Sequence, residues 1–99
     1  MARMEDTTVV NMKTSPYDVA IDRSSPFGNP FPLRNERERG AVLQRYREYF
    51  YRRVERDAEF RERVRALRGK RLGCHCAPKP CHGMIIVEWL EADAKKRKR

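Results

Sequence analysis

No stretch of this 99-residue chain is apolar for long enough to span a bilayer, and its first residues lack the apolar run of a secretory signal. Internal repeats are absent. Cysteine is scarce and histidine scarcer: the three cysteines and two histidines all lie between Cys74 and His82. An odd number of thiols, two of them one residue apart, does not make a disulfide framework. The chain is therefore expected in a reducing, cytoplasmic setting. A hydrophobic fraction of 39% leaves material for one modest core and excludes a second domain.

Charge is what the chain has in excess. Charged side chains make up 37% of it, with a net +9, and Lys95-Lys96-Arg97-Lys98-Arg99 is wholly basic. Such a tail attracts nucleic acid or any acidic surface without sequence preference, and equally serves solubility alone. The arginines between Arg37 and Arg68 are interleaved with acidic residues. Glu48 with Arg52, and Asp57 with Arg61, stand four apart in the favourable order, which describes a solvated, ion-paired face.

The order of elements follows from local pattern. Residues 1–6 read as a flexible start and residues 94–99 as a basic tail, with a single domain over 7–93. Thr7 to Asn11 is β-branched and reads as a strand, and Tyr17, Val19 and Ile21 alternate as a second. Residues 22–35 hold three prolines and form a loop. Asn35 caps a helix whose Val42, Tyr46, Phe50 and Val54 recur at helical spacing, and Asp57 starts another that ends at Gly69. Residues 70–76 form a third strand. A nearly all-apolar helix then starts around Cys81 to Gly83. The order β-β-α-α-β-α predicts a small single α/β domain, a short sheet packed by helices, with a ligand site at the carboxyl ends of its strands.

Three chemistries are open to the cysteine–histidine segment. Cys81 at a helix start, assisted by His82, would be a nucleophilic thiolate, with backbone N–H groups at His82, Gly83 and Met84 making an anion pocket. Alternatively Cys74, Cys76, Cys81 and His82 would hold zinc, although the spacing is unlike paired CxxC sites. The third reading is structural: Cys74 and Cys76 pack as small hydrophobes while His75 faces the other side of the strand. Neither zinc nor any other cofactor is required by the residues.

The stiff loop Arg23 to Leu33 offers Arg23 and Ser25 to a phosphate or carboxylate. Gly28 and Asn29 form a turn pair, with Asn29 able to read a base edge or fix the backbone. Together, Val10-Asn11, the loop Arg23 to Pro30 and the segment Gly73 to Gly83 resemble the motifs of a family of small phage and bacterial proteins known only as a domain of unknown function. The resemblance covers about residues 8–92 and implies a phage or bacterial origin without an assigned activity.

The reading that unites these observations is binding of a phosphate-bearing ligand, a nucleotide or nucleic-acid end, in a pocket between the Arg23–Asn29 loop and the start of the last helix, with thiol-dependent modification left open. Cys81 and His82 are its catalytic candidates, and Arg23, Ser25, Gly28, Asn29 and Gly83 its ligand-binding candidates. The alternatives are a non-enzymatic nucleic-acid-binding module, zinc-stabilised or not, and a phage accessory protein whose partner is a host protein. No membrane partner is expected.

Overall fold

A computed structural model describes residues 6–77 and 79–97. The strands are β1 (Thr8–Asn11), β2 (Val19–Ala20) and β3 (Arg71–Cys74), and the helices α1 (Arg39–Arg56), α2 (Ala58–Arg65) and α3 (His82–Arg97). Their order is the one expected. A short 3-10 turn, Glu36–Glu38, precedes α1, where Asn35 Oδ1 accepts the Arg37 N–H at 3.0 Å.

The sheet runs β1-β3-β2 and both pairings are parallel. Val9 is paired with Leu72, Asn11 with Cys74, and Val19 with Leu72. Parallel strands generally need a long crossover, commonly a helix. Residues 12–18 make the β1–β2 crossover without one, because β1 has only 4 residues and β2 only 2. That segment lies against one face of the sheet at Gly73. A Cβ on Gly73 would sit 2.8 Å from the Tyr17 ring and 2.9 Å from Met12 Cγ, so a side chain here would push the crossover off.

Strand alternation turns Leu72 and Cys74 to the opposite face, where both are buried against the helices. Val42, Tyr46, Phe50 and Val54 line the buried stripe of α1. Phe50 meets Phe60 of α2 and Trp89 of α3 edge-on, at 5.9 and 6.4 Å between ring centroids. Asp57 ends α1 and starts α2, its carboxylate accepting the Phe60 N–H at 3.0 Å. Gly69 has φ 79°, the left-handed conformation that favours glycine after a helix end. Asp93 is buried and accepts a two-pronged hydrogen bond from Arg65 at 2.9 and 3.0 Å, tying α3 to α2.

Several boundaries differ from expectation: β2 keeps only Val19–Ala20, with Tyr17 outside it and exposed, and α2 ends at Arg65, short of Gly69. The last strand stops at Cys74, since the chain bends through His75 and Cys76 instead of continuing the pleat. Helix α3 runs on through Arg97, so residues 94–97 extend a helix and do not begin a tail at 94. Residues 1–5 of the expected flexible start, and residues 98 and 99 of the tail, lie outside the described residues. No described helix is long and apolar enough to cross a membrane.

Candidate functional site

The chain leaves the carboxyl end of β2 at Ile21 and the carboxyl end of β3 at Cys74. Between these points and the start of α3 lies a cavity of about 330 Å³. Buried Cys74 and Cys81 form its floor beside His82, and Phe31, Leu33, Val42 and Leu43 give it an apolar wall. Asp22, Arg23, Ser24, Asn29 and His75 supply its polar side, with Arg39 and Cys76 close by. An open parallel sheet tends to bind ligands at this end of its strands.

The proline-rich loop is held by its own hydrogen bonds. Asp22 Oδ1 accepts the Ser24 N–H at 3.1 Å and the Ser24 hydroxyl at 2.5 Å. The Ser25 hydroxyl donates to the Asp22 carbonyl at 2.8 Å and accepts the Phe27 N–H at 3.2 Å. Asn29 Oδ1 accepts the Phe31 N–H at 2.9 Å. The buried Tyr46 hydroxyl donates to the Phe27 carbonyl at 2.9 Å and so ties the loop to α1. Ala77 and Pro80 are each held by a side chain distant in sequence. Asn11 Nδ2 donates to the Ala77 carbonyl at 2.8 Å, and Arg39 donates to the Pro80 carbonyl at 2.7 Å.

The expected catalytic pair is not electronically poised as a thiolate–imidazole couple. Cys81 immediately precedes α3, and its carbonyl accepts the Met84 N–H at 3.0 Å. The helix start favours an anion there, but burial outweighs it. Together with the neighbouring Cys74 thiol, burial pushes the Cys81 pKa up to about 12. The two sulfurs are 3.3 Å apart. His82 places Nε2 2.6 Å from the Ile21 carbonyl; a carbonyl only accepts, so Nε2 carries the proton. Burial lowers the His82 pKa below its ordinary value, and the ring packs edge-on against Tyr46 at 5.1 Å. Burial thus works against a resting thiolate at Cys81 and favours the neutral form of the imidazole beside it.

Three ligand-binding candidates have structural work instead. A Cβ on Gly83 would meet Ile21 Cδ1 and Val9 Cγ2 at 2.9 Å, so this glycine seats α3 on the sheet. A Cβ on Gly28 would lie 2.6 Å from the Asp22 carbonyl oxygen, so that glycine closes the loop on itself. Ser25 spends its hydroxyl inside the loop and lines a shallow groove with Tyr49 and Arg53 outside the cavity. Arg23 and Asn29 do reach the cavity. Arg23 makes one long hydrogen bond, 3.4 Å to the Phe31 carbonyl, and has no carboxylate partner among the described residues.

Of the four zinc candidates, Cys74 and Cys81 adjoin, whereas the His82 Nε2 is committed to Ile21. The described residues contain no group of three or more side chains suited to a metal ion.

Sequence reasoning missed three contributors. His75, expected to turn away, lines the cavity with Nε2 3.4 Å from Asp22 Oδ2, because the strand ends before it and alternation no longer sets its direction. Hydrogen bonds from Ser24 and then from His75 hold the Asp22 carboxyl below its usual pKa, despite partial burial. Arg39 pairs with Glu36 at 2.8 Å and lines the cavity together with the half-buried Cys76. Its long-range partner Pro80 left no local trace in the sequence.

With this geometry in view, comparison with known proteins places the chain. It belongs to the family described as a domain of unknown function (DUF4326), which matches residues 5–92. A relative from Enterobacteria phage T4, an uncharacterized 12.4 kDa protein in the nrdA-td intergenic region, is 40% identical over 79 residues. The match covers 80% of this chain and 72% of that relative. The matched region of the family holds both the proline-rich loop and the cysteine–histidine segment, the two segments that meet at the cavity. No solved structure matches.

Proposed function

We propose that this DUF4326 protein binds a mononucleotide, or a ligand of that size and chemistry, in the cavity at the carboxyl ends of its strands. The observation that carries the reading is the division of the cavity. Phe31, Leu33, Val42 and Leu43 offer an apolar wall to a base, while Arg23, which also lines the cavity, is a cation with no carboxylate partner among the described residues. Arg39 is not the anion receptor, since Glu36 and the Pro80 carbonyl already use its guanidinium. Asn29 and the ionised Asp22 suit a base edge and sugar hydroxyls. The volume lies near the lower end of ligand pockets, roughly 300–1,000 Å³, which favours one nucleotide over two.

The thiol-dependent modification considered from sequence finds no support in a Cys81 that is buried and hard to ionise. The proposal is accordingly one of binding, in a phage-infected bacterial cell by analogy with the T4 relative.

Amide chemical-shift mapping with adenosine and thymidine monophosphates tests it. Shifts should cluster at residues 22–33, 42–43, 75 and 82. Shifts confined to α1's outer arginines would instead support non-specific attraction of an anion, and so would equal responses to inorganic phosphate and to the nucleotides. A preference for an oligonucleotide end over the free nucleotide would extend the same pocket to nucleic acid.

A further inference from the structure

The reduced thiols of Cys74 and Cys81 lie with their sulfurs 3.3 Å apart, both buried and both on the cavity floor. Nothing in nucleotide binding uses this pair. Its closeness is set by backbone packing at each end, not by two flexible side chains finding each other. Cys74 is the last residue of β3, locked in register with Asn11 of β1. Cys81 immediately precedes α3, and the first turn of that helix is seated on Val9 and Ile21 through the missing side chain of Gly83. The intervening loop is anchored by Asn11 at Ala77 and by Arg39 at Pro80. The remaining thiol, Cys76, is half-buried beside Arg39 and forms no such pair.

We propose that Cys74 and Cys81 form a redox-active dithiol, oxidised by hydrogen peroxide or a comparably small peroxide to a disulfide that joins β3 to α3. One sulfur attacks the peroxide O–O bond and becomes a sulfenic acid, releasing water. The second thiol then attacks that sulfur, its proton leaving with the hydroxide as a second water. Two thiols and one peroxide thus give one disulfide and two waters. The cavity, which both cysteines line, is the route by which a small oxidant reaches them. Proximity makes the second step fast, because a thiol held beside the sulfenic sulfur has a very high effective concentration, and so directs the oxidation to a disulfide within this pair. The sulfurs need to close only from 3.3 Å to the roughly 2.05 Å of a disulfide.

The test treats the folded protein with a small excess of hydrogen peroxide. Unfolding, alkylation and intact-mass measurement follow without reductant. The expected protein is about 2 Da lighter before alkylation, is restored by dithiothreitol, and takes up one alkyl group in place of three. Cys76→Ser should show the same mass loss and take up no alkyl group, whereas Cys81→Ser should lose no mass. Since Cys81→Ser changes a buried residue at a helix start and could fail to fold, the wild type and Cys76→Ser decide the matter. Oxygen addition without loss of hydrogen would overturn the proposal, as would dimers linked only through Cys76 or a Cys76→Ser protein that stays reduced. The readout involves no nucleotide, so its failure and the failure of the binding proposal are separable.

Discussion

Tyr46 holds Phe27: from the buried stripe of α1, its hydroxyl donates to the Phe27 carbonyl at 2.9 Å across the interior. This one bond fixes the middle of the proline-rich loop to the helix that supplies Val42 and Leu43 to the cavity. Tyr46→Phe keeps the ring packing against Phe50 and leaves a buried carbonyl without its donor. The expected cost is about 1–2 kcal/mol in chemical denaturation, with little change in the cooperativity of unfolding. An unchanged midpoint would mean that the loop is not held from the interior.

Two glycines should respond in opposite directions. Gly28→Ala places a methyl group against the Asp22 and Arg23 backbone, which cannot rotate away as a side chain can, and a loss of about 2 kcal/mol or more is expected. Gly40, in the first turn of α1, has nothing within 4 Å of a would-be Cβ. There Gly40→Ala should raise stability by about 0.5–1 kcal/mol through helix propensity. Thermal melts of the two variants side by side check both signs.

The sequence told these glycines apart only in part. Gly69 after a helix and Gly28-Asn29 in a turn were legible, because local chemistry settles them. Gly83 was legible only as a backbone N–H at a helix start; the close approach of Val9 and Ile21 that it permits comes from partners distant along the chain. The same limit governs the cavity. Arg23 and Asn29 were found because a stiff loop declares itself, and the element order followed from periodicity. Arg39 was assigned to an ion-paired face, which is half its role; its bond to Pro80 spans 41 residues. His75 was misdirected because alternation was carried past the last paired residue of β3. A helix start, which favours a Cys81 thiolate, is visible in sequence, whereas the burial that opposes one is not.

Alkylation of the native protein should follow exposure. Cys76 is half-buried at the cavity while Cys74 and Cys81 are 1% and 3% exposed. Iodoacetamide should therefore modify Cys76 first, with Cys74 and Cys81 reacting only on the timescale of opening. This reverses the order expected of a nucleophilic Cys81. Mass spectrometry of Cys76→Ser should show near-complete protection until denaturant is added. Rapid modification of that variant would restore the reactive-thiol reading.

Histidine burial gives the protein an acid-sensitive limb. The His82 pKa is lowered from 6.5 in the folded state, first by burial, against opposing contributions from the Ile21 carbonyl and Asp22. The unfolded chain thus binds the proton more readily. The contribution of His82 is fully present above pH 6.5 and declines as pH falls from 6.5 through the lower folded value. Urea midpoints measured across this range should fall with pH in the wild type, and less steeply in His82→Gln. Parallel slopes would contradict the neutral, buried imidazole.

Calorimetric titration of adenosine monophosphate into wild type, Arg23→Ala and Arg52→Ala tests the binding site most directly. Arg23 lines the cavity, whereas Arg52 lies exposed on α1 away from it. The expected result is saturable binding at one site, weakened about tenfold or more by Arg23→Ala, the loss of one charge-assisted contact, and unchanged by Arg52→Ala. Equal affinity in all three proteins, or no saturable binding in the wild type, would contradict a nucleotide site at the meeting of the proline-rich loop and α3.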